Sequence, residues 1–218
     1  MSPRRCIAIA AASLIAACGG ESTGPPGAPA QLVKTGGDNQ AWYFSNPLPV
    51  PYAAAVRDSN GRGVPGIAVI WTVTAGGGSV DSTQSRTDNA GIARVVHTLG
   101  PSAAAQSVDA FTVDFPTLPL VTFTATAGTP PASAMVDLVN LEFQPRVTAV
   151  VVGGTATWTW NDAGTAHNML FTRGPPPLPT GSGVKSSGTL QVTFNSTGRY
   201  DYACTIHSGM EGTIHVVN

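Results

Sequence analysis

Apolar residues along this chain recur with period two in short runs, and hardly ever with the three-to-four spacing of a helix. Val121-Thr122-Phe123-Thr124-Ala125-Thr126-Ala127 alternates without a break. Ile67-Ala68-Val69-Ile70-Trp71-Thr72-Val73-Thr74 stops at Gly76-Gly77-Gly78, and Ile92-Ala93-Arg94-Val95-Val96-His97-Thr98-Leu99 stops at Gly100-Pro101. In a strand, successive side chains point to opposite faces, so such a run buries one face and wets the other. Glycine and proline punctuate the runs as turns do. The pattern predicts an all-β protein built of antiparallel sandwiches.

Two stretches interrupt it. Residues 19–30, GGESTGPPGAPA, carry no hydrophobic period and read as a semi-extended tether. A second break, Gly128-Thr129-Pro130-Pro131-Ala132-Ser133, separates two segments that are each the size of a single core. The expected organisation is a leader over 1–17, a Gly/Pro-rich tether over 18–29, a first domain over 30–128, a linker over 129–134 and a second domain over 135–218. The fold class expected is two Greek-key β-sandwich domains in tandem.

The leader has Arg4 and Arg5 ahead of an apolar stretch, Cys6 to Leu14, that is too short to span a bilayer. Its end, Leu14-Ile15-Ala16-Ala17-Cys18, resembles the lipobox of bacterial lipoproteins. That resemblance implies cleavage before Cys18 and lipidation of its sulfur; an ordinary signal peptide cut after a small residue is the alternative. Localisation in the cell envelope follows as an expectation, anchored by lipid on the periplasmic face or the outer surface, with no other contact to the membrane. One thiol, Cys204, then remains in an oxidising compartment where disulfides are the rule. It has to be explained.

Composition narrows the function. Lys and Arg number 11 against 12 Asp and Glu, and 11% of residues are charged, so there is no basic face for a nucleic acid. Hydrophobic residues at 42% exclude a disordered chain.

In the first domain, the run Val56 to Gly66, the Gly76–Gly78 turn, Thr87-Asp88-Asn89-Ala90-Gly91-Ile92-Ala93 and the strand Val121–Ala127 resemble the group 1 bacterial immunoglobulin-like (invasin-type) domains. The resemblance implies a spacer or adhesive module and supplies no chemistry. Trp42 and Trp71 are expected in its core, and His97 is read as a strand residue with no partner for metal binding.

Chemistry concentrates in Tyr200-Asp201-Tyr202-Ala203-Cys204-Thr205-Ile206-His207-Ser208-Gly209-Met210. Tyr200, Tyr202 and Cys204 share one parity and should share one face. Cys204, His207 and Met210 follow at spacings of three, which lets a compact loop aim three side chains at one point. His167 lies upstream, between the run Thr155–Trp160 and Met169-Leu170-Phe171. Two imidazoles, a thiolate and a thioether are the donor set of a mononuclear blue-copper site. The soft thiolate favours Cu(I), imidazole suits both oxidation states, and the weak axial sulfur tunes the potential. His215 is expected to face solvent, and Met169 to serve packing.

With these residues, and with Phe143-Gln144-Pro145 and the segment Gly153 to His167, residues 135–218 resemble the cupredoxins, the plastocyanin, pseudoazurin and amicyanin family. The short three-plus-three loop is most similar to amicyanin. The resemblance implies one type 1 copper, held by His167, Cys204 and His207 with Met210 axial, and a backbone N–H from Asn168 to the Cys204 sulfur. Ile206 departs from the family pattern, in which proline is common at that position. His207 is implied as the partly exposed ligand through which the electron passes, with Ser208, Gly209 and the Pro175-Pro176-Pro177-Leu178 loop on the rim.

A second cysteine for a binuclear centre and the His-x-His pairs of multicopper enzymes are both missing from the sequence, and no Ser-His-Asp set or carboxylate pair can be read out. The expectation is no enzyme but a one-electron carrier. Its partner would be a cytochrome or another periplasmic donor or acceptor, met through an apolar surface. The alternative is a surface adhesive or binding lipoprotein whose first domain does the work while copper is structural or sequestered.

Overall fold

A computed structural model describes residues 24–218 of the chain. The leader, Cys6, the lipidation candidate Cys18 and the first part of the tether lie outside the described residues. Among the described residues there is no helix. The strands of the first half are β1 (Gln31–Gly36), β2 (Gln40–Tyr43), β3 (Tyr52–Arg57), β4 (Ala68–Ala75), β5 (Gly78–Val80), β6 (Gln84–Arg86), β7 (Ile92–Val95), β8 (His97–Leu99), β9 (Ala105–Phe111) and β10 (Val121–Gly128). Those of the second half are β11 (Ser133–Val139), β12 (Glu142–Gln144), β13 (Val147–Val151), β14 (Thr155–Trp160), β15 (Leu170–Arg173), β16 (Thr189–Thr193), β17 (Gly198–Ala203) and β18 (Glu211–Val217).

In the first half, sheet β1-β3-β7 faces sheet β2-β10-β9-β4-β6, with the pair β5-β8 beside them. Tyr52, Val56, Val69, Trp71, Val108 and Phe123 fill the space between. Trp71 is in this core as expected, whereas Trp42 is only half-buried against its edge. The alternation in β10 is read out literally: Phe123, Ala125 and Ala127 are buried and the intervening threonines are not.

The second half packs sheet β12-β11-β14-β16 on sheet β13-β18-β17-β15. Strand β14 turns Ala156, Trp158 and Trp160 inward, and β17 turns Tyr200 and Tyr202 inward. Tyr202 meets Trp158 and Phe143 edge-on at 5.2 and 4.8 Å between ring centres. Such aromatic pairs contribute about 0.5–1.5 kcal/mol each beyond the area they bury. This wall of rings backs the end of β17 from which Cys204 emerges.

Neither sandwich is wholly antiparallel, contrary to the expectation from strand spacing. β2 pairs parallel with β10, β11 with β14, and β13 with β18. These partners are far apart in sequence, so no tight hairpin forces them to run antiparallel.

His97 is fully buried beside Tyr52, and neither of its ring nitrogens makes a hydrogen bond of normal geometry. Burial holds its pKa below the ordinary imidazole value, with the Gly77 backbone opposing weakly. The folded chain therefore keeps His97 neutral, while the unfolded chain takes up a proton near pH 6.5. Stability should be present above that pH and fall as the solution is acidified through it. Thermal unfolding at a series of pH values should show this loss, and His97→Phe should flatten the profile of the first domain; an unchanged profile would show that another group is responsible.

Candidate metal centre

Strand geometry brings the ligand-bearing loops to one end of the second sandwich. β17 delivers Cys204, the turn 204–210 returns into β18, and the Cys204 N–H donates to the Met210 carbonyl at 2.9 Å. Gly209 sits in that turn at φ 80°, a left-handed conformation that glycine adopts without strain. Across the sandwich, β14 ends at Trp160 and the loop that follows carries His167 back to the same end.

The donors converge. His207 Nδ1 lies 2.9 Å from His167 Nδ1 and 3.5 Å from Cys204 Sγ, and His167 Nδ1 lies 3.9 Å from that sulfur. His167 is fully buried, Cys204 nearly so, and His207 is half-buried. Met210 is buried in the same core cluster as Cys204. Met169 is fully buried there too, as its packing role predicted.

His167 is held at its N–H, its carbonyl and its Nε2. Its N–H donates to the Lys185 carbonyl and its own carbonyl accepts from the Lys185 N–H, both at 2.9 Å. The Trp160 indole N–H donates to the same carbonyl at 2.9 Å, and the Lys185 ammonium lies 4.0 Å above the Trp160 ring. Its Nε2 lies 2.8 Å from Asp162 Oδ2. Asp162 also accepts the N–H groups of Asn140 and Leu141, each at 3.1 Å, from the two-residue turn between β11 and β12. The Leu141 N–H and then the His167 ring hold the Asp162 carboxyl below the usual carboxylate range. An ionised carboxylate only accepts, so Nε2 donates and Nδ1 presents its lone pair to the other donors.

Asn168 ties the two ligand loops together: Thr205 N–H donates to Asn168 Oδ1 and Asn168 Nδ2 donates to Thr205 Oγ1, each at 2.8 Å. The hold is through the side chain onto the residue after Cys204. Asp162, Trp160 and Lys185 were not singled out from sequence. For Asp162 a signal existed, an acid on the loop just ahead of a ligand histidine, because such histidines commonly donate their second N–H to a carboxylate.

Two expectations about the surroundings are corrected. Pro175 packs against Gly198, at the far end of β17 from Cys204, because β15 runs away from the site before the chain turns. The rim instead takes residues 182–185, where Ser182 and Lys185 bond back to Met169 and His167. His215 does not face open solvent; it meets Trp42 of the first domain edge-on at 5.2 Å.

Lone-pair donors facing one another at such distances repel unless a cation sits among them. A point central to this triangle lies about 2 Å from each corner, which is a metal–ligand bond length. With one thiolate, two imidazoles and a buried thioether, the arrangement fits one type 1 copper. This defines the class, a type 1 copper protein on a β-sandwich.

Comparison with known proteins agrees. Residues 132–217 match the copper binding proteins of the plastocyanin/azurin family. Amicyanin of Paracoccus denitrificans is 30% identical over 105 residues, covering 47% of this chain and 79% of amicyanin. The chain belongs, through its second half, to the plastocyanin/azurin family of copper-binding proteins. Among solved structures it is similar to a purple cupredoxin from Nitrosopumilus maritimus, with 22% identity, 38% of this chain and 98% of that one covered, and a TM-score of 0.34. It is also similar to a copper-containing nitrite reductase from Thermus scotoductus SA-01, with 14% identity, 70% and 55% covered, and a TM-score of 0.38.

Cys204→Ser should abolish the sulfur-to-copper charge-transfer band, since that transition needs the Cu–S bond; protein that stays blue would refute the ligand set. Met210→Leu should keep the colour and raise the midpoint potential in spectroelectrochemistry. Asp162→Asn should also raise the potential, because a negative charge beside His167 favours Cu(II), and should weaken copper binding about 10–100-fold in chelator competition. An unchanged potential would reduce Asp162 to a structural role.

Proposed function

We propose that the protein is an exported, envelope-tethered electron carrier, with copper that would be held by His167, Cys204, His207 and Met210. The single observation that carries this is the convergence of the His167, Cys204 and His207 donor atoms at the end of a sandwich whose family binds copper. Copper, when bound, supplies a one-electron Cu(II)/Cu(I) couple. The chain supplies donors that are already in place, so little has to move when the charge changes. Tethering through Cys18 rests on the lipobox-like Leu14–Cys18 sequence, and residues 30–128 are read as an immunoglobulin-like domain on their resemblance.

His207 is the half-buried ligand and Ile206 beside it is 47% exposed, so this edge is the port for the electron. Leu141 and Val184 are exposed at the same end. Leu141 is held at φ 60°, in the left-handed region. The two-residue turn between β11 and β12 requires that conformation, at about 1–2 kcal/mol for a residue with a Cβ, while the leucine side chain itself stays exposed. A surface that contacts an apolar partner accounts for the exposed side chain. The Arg146–Glu211 ion pair close by, at 3.7 Å, is exposed on both sides and of little weight. Docking to a periplasmic cytochrome or similar protein is therefore apolar and weakly dependent on salt.

Stopped-flow reduction by a soluble cytochrome should vary no more than about twofold between low and high salt. Leu141→Gly should stabilise the fold by relieving the strained turn, by about 1 kcal/mol, yet slow that reaction while leaving the visible spectrum alone. A steep salt dependence, or a variant that reacts at the full rate, would overturn the docking surface. Copper that cannot be cycled would overturn the carrier.

A further inference from the structure

The two sandwiches meet along a seam that fixes their register. Asn46, almost wholly buried, accepts the Asn218 N–H at 2.9 Å and donates to the Asn218 carbonyl at 3.4 Å, while also holding the Phe44 carbonyl at 2.7 Å. Trp42 covers His215 beside it. The connection between the domains is four residues, 129–132, between β10 and β11. It contains Pro130-Pro131 and is bonded into the second domain, where Val151 N–H donates to the Pro131 carbonyl at 2.8 Å and Thr155 N–H to the Ala132 carbonyl at 3.0 Å. A short proline-containing link pinned in this way is a stiff spacer.

The seam has a definite place on each domain. On the second it touches β18 at His215 and Asn218, beside the Gly198–Val216 pair that marks the end of β17 and β18 opposite Cys204 and Met210. On the first it lies where β2 and β10 finish, at Tyr43 and Gly128. The other end of the first domain holds the incoming chain. Asp58 there is fully buried and accepts the Gly27 N–H at 2.8 Å, and Arg62 donates to the Gly24 carbonyl at 2.9 Å. Residues 24–27 thus leave from the pole farthest from the seam.

We propose that the first domain is a rigid mast: it grips the second domain by the pole opposite the metal and presents the copper centre at the tip of the molecule, away from the point where the tether begins. Its partner surface is the base of the copper domain, and an electron-transfer partner meets the tip without contacting the mast. The inference rests on copper lying among His167, Cys204 and His207. It goes beyond the carrier reading because it assigns the first domain a task.

The lengths of β10 and β17, laid end to end at 3.3 Å per residue, put the tether pole about 45 Å from the copper. The test is a double electron–electron resonance measurement between Cu(II) and a nitroxide on Ser59→Cys, an exposed position in the tether-pole turn, in the full chain with Cys6→Ser and Cys18→Ser. One narrow distance distribution in the range of about 40–60 Å is expected. Asn46→Ala and Trp42→Ala, separately and together, should broaden it while the copper spectrum stays as it was. A broad distribution in the parent, or a narrow one that both substitutions leave untouched, would overturn the mast. A wrong ligand assignment gives a different signature, an altered copper hyperfine pattern at an unchanged distance distribution.

Discussion

Everything in the second domain serves one unfavourable juxtaposition: two imidazole nitrogens and a thiol sulfur held face to face within 4.8 Å, largely out of water. Left to themselves such groups would turn away from one another. They are prevented from doing so because His167 is immobilised at its N–H, its carbonyl and its ring, and because the loop bearing Cys204 is clasped to the loop bearing His167 through Asn168 and Thr205. The fold thus meets the cost of convergence before any metal arrives. A site assembled this way need not rearrange between oxidation states, and that is what a one-electron carrier requires.

The aromatic core is the mechanical support for that arrangement. Trp158, Tyr202 and Phe143 are fully buried and lock against each other edge-on behind the strand that carries Cys204. Trp160 does two jobs, filling the core with its ring and fixing the His167 carbonyl with its N–H, while Lys185 closes over its outer face. Packing and ligand orientation are therefore not separable here; the same side chains do both.

Much of this could be read from the residues in order. Parity put Tyr200, Tyr202 and Cys204 on one face, and the three-plus-three spacing announced the turn, because both are local properties of a strand and a tight loop. The parts that could not be read are those that depend on which segments meet after folding. Asp162 is marked in sequence only by standing just ahead of His167, and the Asn140–Leu141 turn that holds it comes against it only on folding. His215 has the parity of a solvent-facing residue, and what covers it belongs to another domain. Pro175 is close to the site along the chain and distant from it in space, since β15 carries it away. The parallel pairs, likewise, join strands that no hairpin connects.

The turn at Asn140–Leu141 has a consequence of its own. Both residues are in left-handed conformations, and their two N–H groups hold and aim Asp162, which in turn orients the deepest imidazole. The electronic character of the metal can thus be adjusted from a hairpin that touches no ligand. Natural drift or deliberate redesign at that bend offers a dial for driving force that leaves the coordinating atoms alone.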